Sequence, residues 1–151
     1  MRVYLAGPLF TPYERDFLAE VAATIRAVGI EVFVPHEQDL VEPITAQAVF
    51  DKDGTGLFPA NAVVALLDGS MVDDGTACEI GIFYGMRRQD PTKKGVVGLL
   101  TDSRFVGSHG RTIEGREVNL FVLGCIQQMG LVTSSVDEVV ATLVRWRDEL
   151  A

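Results

Sequence analysis

Histidine and cysteine are scarce in this sequence, with two of each among 151 residues, and each scarcity excludes a class of chemistry. His36 and His109 lie far apart with no metal-ligand spacing around them, so no metal centre and no cofactor are expected. Cys78 and Cys125 each fall in an apolar helical pattern and read as buried free thiols rather than a disulfide. Basic residues are outnumbered, 13 against 21 acidic ones, for a net charge of −8. They form no stripe that could follow a phosphate backbone, which argues against a nucleic-acid polymer as partner. No apolar run approaches the roughly 20 residues of a membrane span, and a strand begins at once without a leader, so a cytoplasmic protein with no membrane partner is expected. Repeats, low-complexity tracts and the phosphate loops GxGxxG and GxxxxGK(S/T) are also lacking.

What is present suits one α/β domain over residues 1–151. Hydrophobic residues make up 48% and charged residues 23%, enough to fill a single core. Short apolar runs predict strands at Val3 to Ala6, Glu31 to Val34, Ala62 to Leu67, Gly95 to Leu100 and Leu131 to Thr133. The runs AVVALL and GVVGLL lack alternation, the mark of parallel strands covered on both faces. Helical spacing of Phe17, Leu18, Val21, Ile25 and Val28 fills the first crossover. A weaker helical segment from Pro43 to Ala60, broken around Gly54 and Gly56, fills the second. Helices follow from Thr76 to Arg87 and from Glu117 to Met129. Ser135 with Glu138 resembles a capping box opening a last helix. The alternation predicts a single doubly wound, flavodoxin-like (Rossmann-like) five-stranded parallel sheet with helices on both faces, its ligands bound beyond the carboxyl ends of the strands. The polar loop Thr101 to Gly115, with three glycines, reads equally as a lid or a connector.

Acidic residues gather where that topology puts its site. Asp68 ends the central strand, Asp73 and Asp74 follow, and Glu79 comes near the start of the next helix. A carboxylate there is kept ionised by the helix dipole and suits a nucleophile. Pattern alone leaves Glu79 open between that role and a solvated first-turn residue, with Asp73 or Asp74 as the N-cap. The apolar neighbours Ala77, Cys78, Ile80, Ile82 and Phe83 tilt the reading toward function.

Asp73-Asp74-Gly75-Thr76-Ala77-Cys78-Glu79-Ile80-Gly81 resembles the D-x-G-T-x-x-E-(I/L/V)-G signature of the nucleoside 2-deoxyribosyltransferase family. Val3 to Phe10 resembles the family's first strand and loop, Phe50-x-x-Asp53 its F-x-x-D segment, and Val118 to Phe121 its late N-L-(F/M) helix start. The resemblance spans nearly the whole chain. It implies an enzyme in which Glu79 attacks the anomeric carbon, expels the nucleobase and forms a deoxyribosyl ester that a second base opens, with retention. Asp53 would protonate the leaving base and deprotonate the incoming one, and Tyr4 would hold the Glu79 carboxylate through its hydroxyl. Asp73 would accept from a sugar hydroxyl, Gln38 would face the base, and Gly7 would line the substrate site. Asn119 would complete the pocket of a neighbouring subunit in a homo-oligomer. The implied ligands are nucleosides and free nucleobases.

Three rivals stand beside this reading. A nucleoside 5'-monophosphate N-glycosidase would share the fold and the nucleophilic Glu but deliver the sugar to water, with Ser103, Ser108 and Arg111 as candidate phosphate contacts. Asp51-Lys52-Asp53-Gly54-Thr55 matches the D-x-D-G-T motif of Mg-dependent haloacid-dehalogenase-like phosphatases, with Asp51 as nucleophile, although its place mid-chain after a weak apolar run is wrong for that motif. A doubly wound sheet also serves non-enzymatic nucleotide-binding modules, since fold alone never fixes function.

Overall fold

The computed structural model describes residues 1–40, 42–102 and 118–150. Its five strands are β1 (Arg2–Ala6), β2 (Glu31–Phe33), β3 (Ala62–Leu66), β4 (Gly95–Leu99) and β5 (Leu131–Thr133). They form one all-parallel sheet in the order β2-β1-β3-β4-β5. β3 and β4 are buried at every position, as their unbroken apolar runs predict. Alternation along each strand then sorts side chains to two cores. On one face Val3, Leu5, Val64 and Leu66 meet Leu18, Val21 and Ile25 of α1 (Pro12–Arg26) and Leu143 of α5 (Val136–Asp148). On the other face Tyr4, Val63 and Ala65 meet Leu57 of α2 (Ala46–Leu57), Ile80 and Phe83 of α3 (Asp74–Arg87) and Ile126 of α4 (Leu120–Gln127). Burying each such aliphatic or phenyl side chain contributes roughly 1.5–3 kcal/mol. The doubly wound, flavodoxin-like order is therefore the one expected from the pattern.

Local chemistry sets the helix ends. Thr11 and Glu14 form a reciprocal capping box at α1, with Pro12 in the first turn, and Asp73 caps α3. Ser135 caps α5 through Glu138 N–H, but the Glu138 carboxylate accepts from the Thr133 hydroxyl instead of closing a box.

Three expectations need correction. The break around Gly54 and Gly56 does not occur, for both lie within the continuous helix α2. A Cβ at Gly56 would stand 2.2 Å from Phe33 Cδ1, and one at Gly54 2.7 Å from Phe58 Cε2. Aromatic rings fill the space that side chains would take, and tertiary packing overrides a propensity cost of about 1 kcal/mol per glycine. Cys78 is exposed and Cys125 half-buried, so the thiols are free but not buried. Asp68 is committed to structural hydrogen bonds: its Oδ1 accepts from the N–H groups of Thr101 (2.6 Å) and Asp102 (2.9 Å), and its Oδ2 from the Thr101 hydroxyl. It ties the end of β3 to the segment after β4. The expected lid, beyond Asp102, lies outside the described residues, as do Ser103, Ser108, His109, Arg111 and Glu117. Among the described residues no helix is long and apolar enough to cross a membrane.

Candidate active site

The chain reverses its direction of winding between β1 and β3, the topological switch point where open parallel sheets leave a crevice. There α2 and α3 face each other across a cavity of about 160 Å³. From α2 come Phe50, Asp53, Gly54 and Leu57, and from its C-cap Phe58, at the 3- and 4-residue steps of one helical face. From α3 come Gly75, Cys78, Glu79 and Ile82, at the same spacing. The two carboxylates, Asp53 and Glu79, are the charged groups in this otherwise mostly apolar lining.

Glu79 lies in the second turn of α3, which begins at Asp74, beyond the reach of the helix N-terminus, whose influence fades within the first turn. The expectation that the dipole keeps it ionised therefore fails. Its carboxyl is pushed up to about 7: burial raises it most, the hydrogen bond from Tyr4 lowers it, the Asp53 and Asp73 charges raise it and Lys52 lowers it. The Tyr4 hydroxyl donates to Glu79 Oε1. Tyr4 sits in β1 with its side chain fully buried, its ring stacked on Phe33 at 5.6 Å and 14°. Burial, and then the Glu79 charge, raise its phenol well above the ordinary value, so Tyr4 stays a donor. The result is a largely buried carboxylate aimed by a neutral hydroxyl and poised to titrate near neutrality.

Asp53 shares the cavity with Glu79. Lys52 Nζ stands 3.0 Å from Asp53 Oδ1 as an ion pair, off hydrogen-bond geometry, so that buried oxygen has no hydrogen-bond partner among the described residues. Lys52 Nζ also donates to the Pro35 carbonyl at 3.0 Å, which fixes the ammonium beside the cavity. Asp73 uses Oδ2 to accept from Thr76 N–H (3.0 Å) and the Thr76 hydroxyl (3.2 Å).

Three other residues expected at the site are not among the lining of this cavity. Gln38 is exposed and donates to the Val34 carbonyl at 3.3 Å. Gly7 serves packing, since a Cβ there would approach Leu66 Cβ to 3.0 Å and a Leu18 methyl to 3.1 Å. Asn119 is the exposed N-cap of α4, its Oδ1 accepting from Phe121 N–H (2.9 Å) and Val122 N–H (3.3 Å). The phosphatase motif fails on geometry: Asp51 is an exposed helical residue that accepts from Gln47 at 2.7 Å, not a nucleophile at the end of a strand. No group of three His, Cys, Asp or Glu side chains among the described residues is placed to hold a metal.

Sequence reasoning missed Lys52, Phe58 and the support of Tyr4 by Phe33. Phe50, Gly54 and Phe58 do recur at i, i+4 and i+8, a helical signal hidden by reading Gly54 as a break.

The chain matches the nucleoside 2-deoxyribosyltransferase family model over residues 3–131. An uncharacterized protein of Ureaplasma parvum serovar 3 is 27% identical, over 95% of this chain and 96% of that one. A conserved protein from Enterococcus faecalis V583 has a similar structure, with a TM-score of 0.76 and 28% identity over 93% of this chain and 95% of that one. A 2-deoxyribosyltransferase from Bacillus psychrosaccharolyticus shares the fold at a TM-score of 0.67 and 23% identity, over 93% and 90% of the two chains.

Proposed function

Because the chain belongs to the nucleoside 2-deoxyribosyltransferase family, we propose that it moves 2-deoxyribose between nucleobases by double displacement through a covalent ester on Glu79. The observation that carries this reading is the largely buried Glu79 carboxylate, held by the Tyr4 hydroxyl, in one cavity with Asp53. A Glu79 oxygen bonds to the anomeric carbon as the bond from that carbon to the base nitrogen breaks. The electron pair leaves with the base, which takes a proton from Asp53. The incoming base then attacks the same carbon, the ester bond breaks, Glu79 leaves as carboxylate and the proton of the incoming nitrogen returns to Asp53. Two inversions retain configuration.

Asp73, whose charge is felt at Glu79, is the candidate acceptor for a sugar hydroxyl. Asn119 does not line this chain's own cavity, and Phe121 beside it is 82% exposed. Both features fit a helix start that completes the cavity of a second copy in a homo-oligomer.

Incubation with a 2'-deoxynucleoside and a different free base is expected to yield a new deoxynucleoside, unaffected by EDTA, with the sugar detectable on Glu79 by mass spectrometry after acid quenching. Base release mainly from a deoxynucleoside 5'-monophosphate, without transfer, would assign the chain to hydrolysis instead.

The pH dependence follows from the same carboxyl. Only ionised Glu79 attacks, so kcat/KM should rise as pH climbs through about 7 and fall below it. The Tyr4 hydrogen bond stabilises the ionised form, so Tyr4→Phe should move this limb to higher pH as well as lowering the rate. An unmoved limb would remove Tyr4 from this role.

A further inference from the structure

Phe58 lies just past the end of α2, outside the F-x-x-D segment, and its ring is 44% exposed, while Phe50 is 53% exposed. Both line the cavity that holds Glu79 and Asp53. Their ring centroids are 5.9 Å apart and tilted by 60°, a favourable aromatic pairing, and the Phe58 ring lies against the bare backbone of Gly54. The glycine is what permits this arrangement. A Cβ at Gly54 would meet Phe58 Cε2 at 2.7 Å and Cδ2 at 3.2 Å, so any other residue pushes the ring away from the helix. Leaving two phenyl rings half in water is unfavourable unless a ligand covers them. The cavity is too small for a macromolecular segment, and its apolar wall beside two carboxylates matches a flat heteroaromatic ring with polar edges.

We infer that Phe58, seated over Gly54, is a specificity-determining residue whose ring, paired with Phe50, forms the platform on which the nucleobase stacks. This inference rests on the proposed base exchange. Stacking binds donor and acceptor base alike without touching the anomeric carbon, so Phe58 governs KM more than kcat.

The test titrates free adenine into wild type, Phe58→Ala, Phe58→Tyr and Gly54→Ala by calorimetry and measures adenine as acceptor in the transfer assay. Phe58→Ala is expected to weaken adenine binding and raise the acceptor KM about tenfold, equal to about 1.4 kcal/mol, with kcat within about threefold of wild type. Phe58→Tyr should restore both. Gly54→Ala should weaken binding like Phe58→Ala while thermal stability holds, because alanine is the better helix former and the displaced ring is partly in solvent. Adenine affinity unchanged in Phe58→Ala and Gly54→Ala, in a wild type that transfers, would overturn the platform alone. A wild type that neither binds adenine nor transfers would overturn the proposed function with it.

Discussion

Replacing Glu79 by glutamine is expected to lower kcat by at least about 10⁴-fold, the scale seen when a covalent nucleophile is removed, or about 5.4 kcal/mol of barrier. The same substitution should make the protein more stable at pH 8. Glutamine is isosteric, and its amide oxygen still accepts from the Tyr4 hydroxyl that now meets Glu79 Oε1, so the fold has no reason to change. The gain comes from the charge. Folding raises the Glu79 carboxyl from 4.5 to about 7, so the stability this group contributes is fully present below about 4.5 and is lost as pH rises through about 7. Above that range the folded chain carries a buried anion with Asp53 and Asp73 nearby, and glutamine removes it. Melting curves of wild type and Glu79→Gln should therefore coincide at pH 4.5 and separate at pH 8, with the variant higher. Equal melting temperatures at both pH values would show that Glu79 is not strained in the resting protein. Loss of activity with gain of stability is the mark of a residue kept for chemistry.

Much of this arrangement was legible in the sequence, for identifiable reasons. The strands β3 and β4 announced themselves because a strand covered on both faces needs apolar residues at every position, and the order of strands and helices then left few topologies. Glu79 and Asp53 were legible from the signature residues around them, and the structure brings both to one cavity. The electrostatic reason given for Glu79 was not, because the apolar pattern starts the helix at Thr76 and so puts Glu79 in its first turn, whereas α3 already starts at Asp74. Gly56 was misread because propensity carries no knowledge of the Phe33 ring arriving from elsewhere in the chain, and Gly54 because its helical spacing from Phe50 and Phe58 was passed over. Asp68 belonged to the acidic cluster by sequence and to the segment after β4 by hydrogen bonding, a pairing across 33 residues that no local pattern encodes. Gln38 and Asn119 have side-chain partners of their own in this chain, and a role for Asn119 in a second copy depends on assembly.

Gly56→Ala is expected to damage both the fold and the site, through a single line of contacts. The added methyl would stand 2.2 Å from Phe33 Cδ1 and 2.3 Å from Phe33 Cγ. Cγ is the root of the ring, so no swing of its tip relieves the clash, and β2 or α2 must shift. Such overpacking costs about 1–3 kcal/mol, partly offset by the better helix propensity of alanine. A net loss of about 1 kcal/mol lowers Tm by about 2–4 °C in a chain of this size. Activity falls further than stability alone explains, because the Phe33 ring stacks on Tyr4 and Tyr4 holds Glu79. Misaligning that hydroxyl reduces kcat about tenfold or more, as loss of an orienting hydrogen bond does, and moves the acid limb upward as Tyr4→Phe does. Gly81→Ala is the control: it lies in the same kind of helix with no described residue within 4 Å of an added Cβ, and it should stabilise slightly with activity unchanged. Trimming Phe33 to alanine should make the Gly56→Ala cost nearly vanish, since the two substitutions act on one contact. A Gly56→Ala protein with wild-type Tm and kcat would break this line of support at its first link.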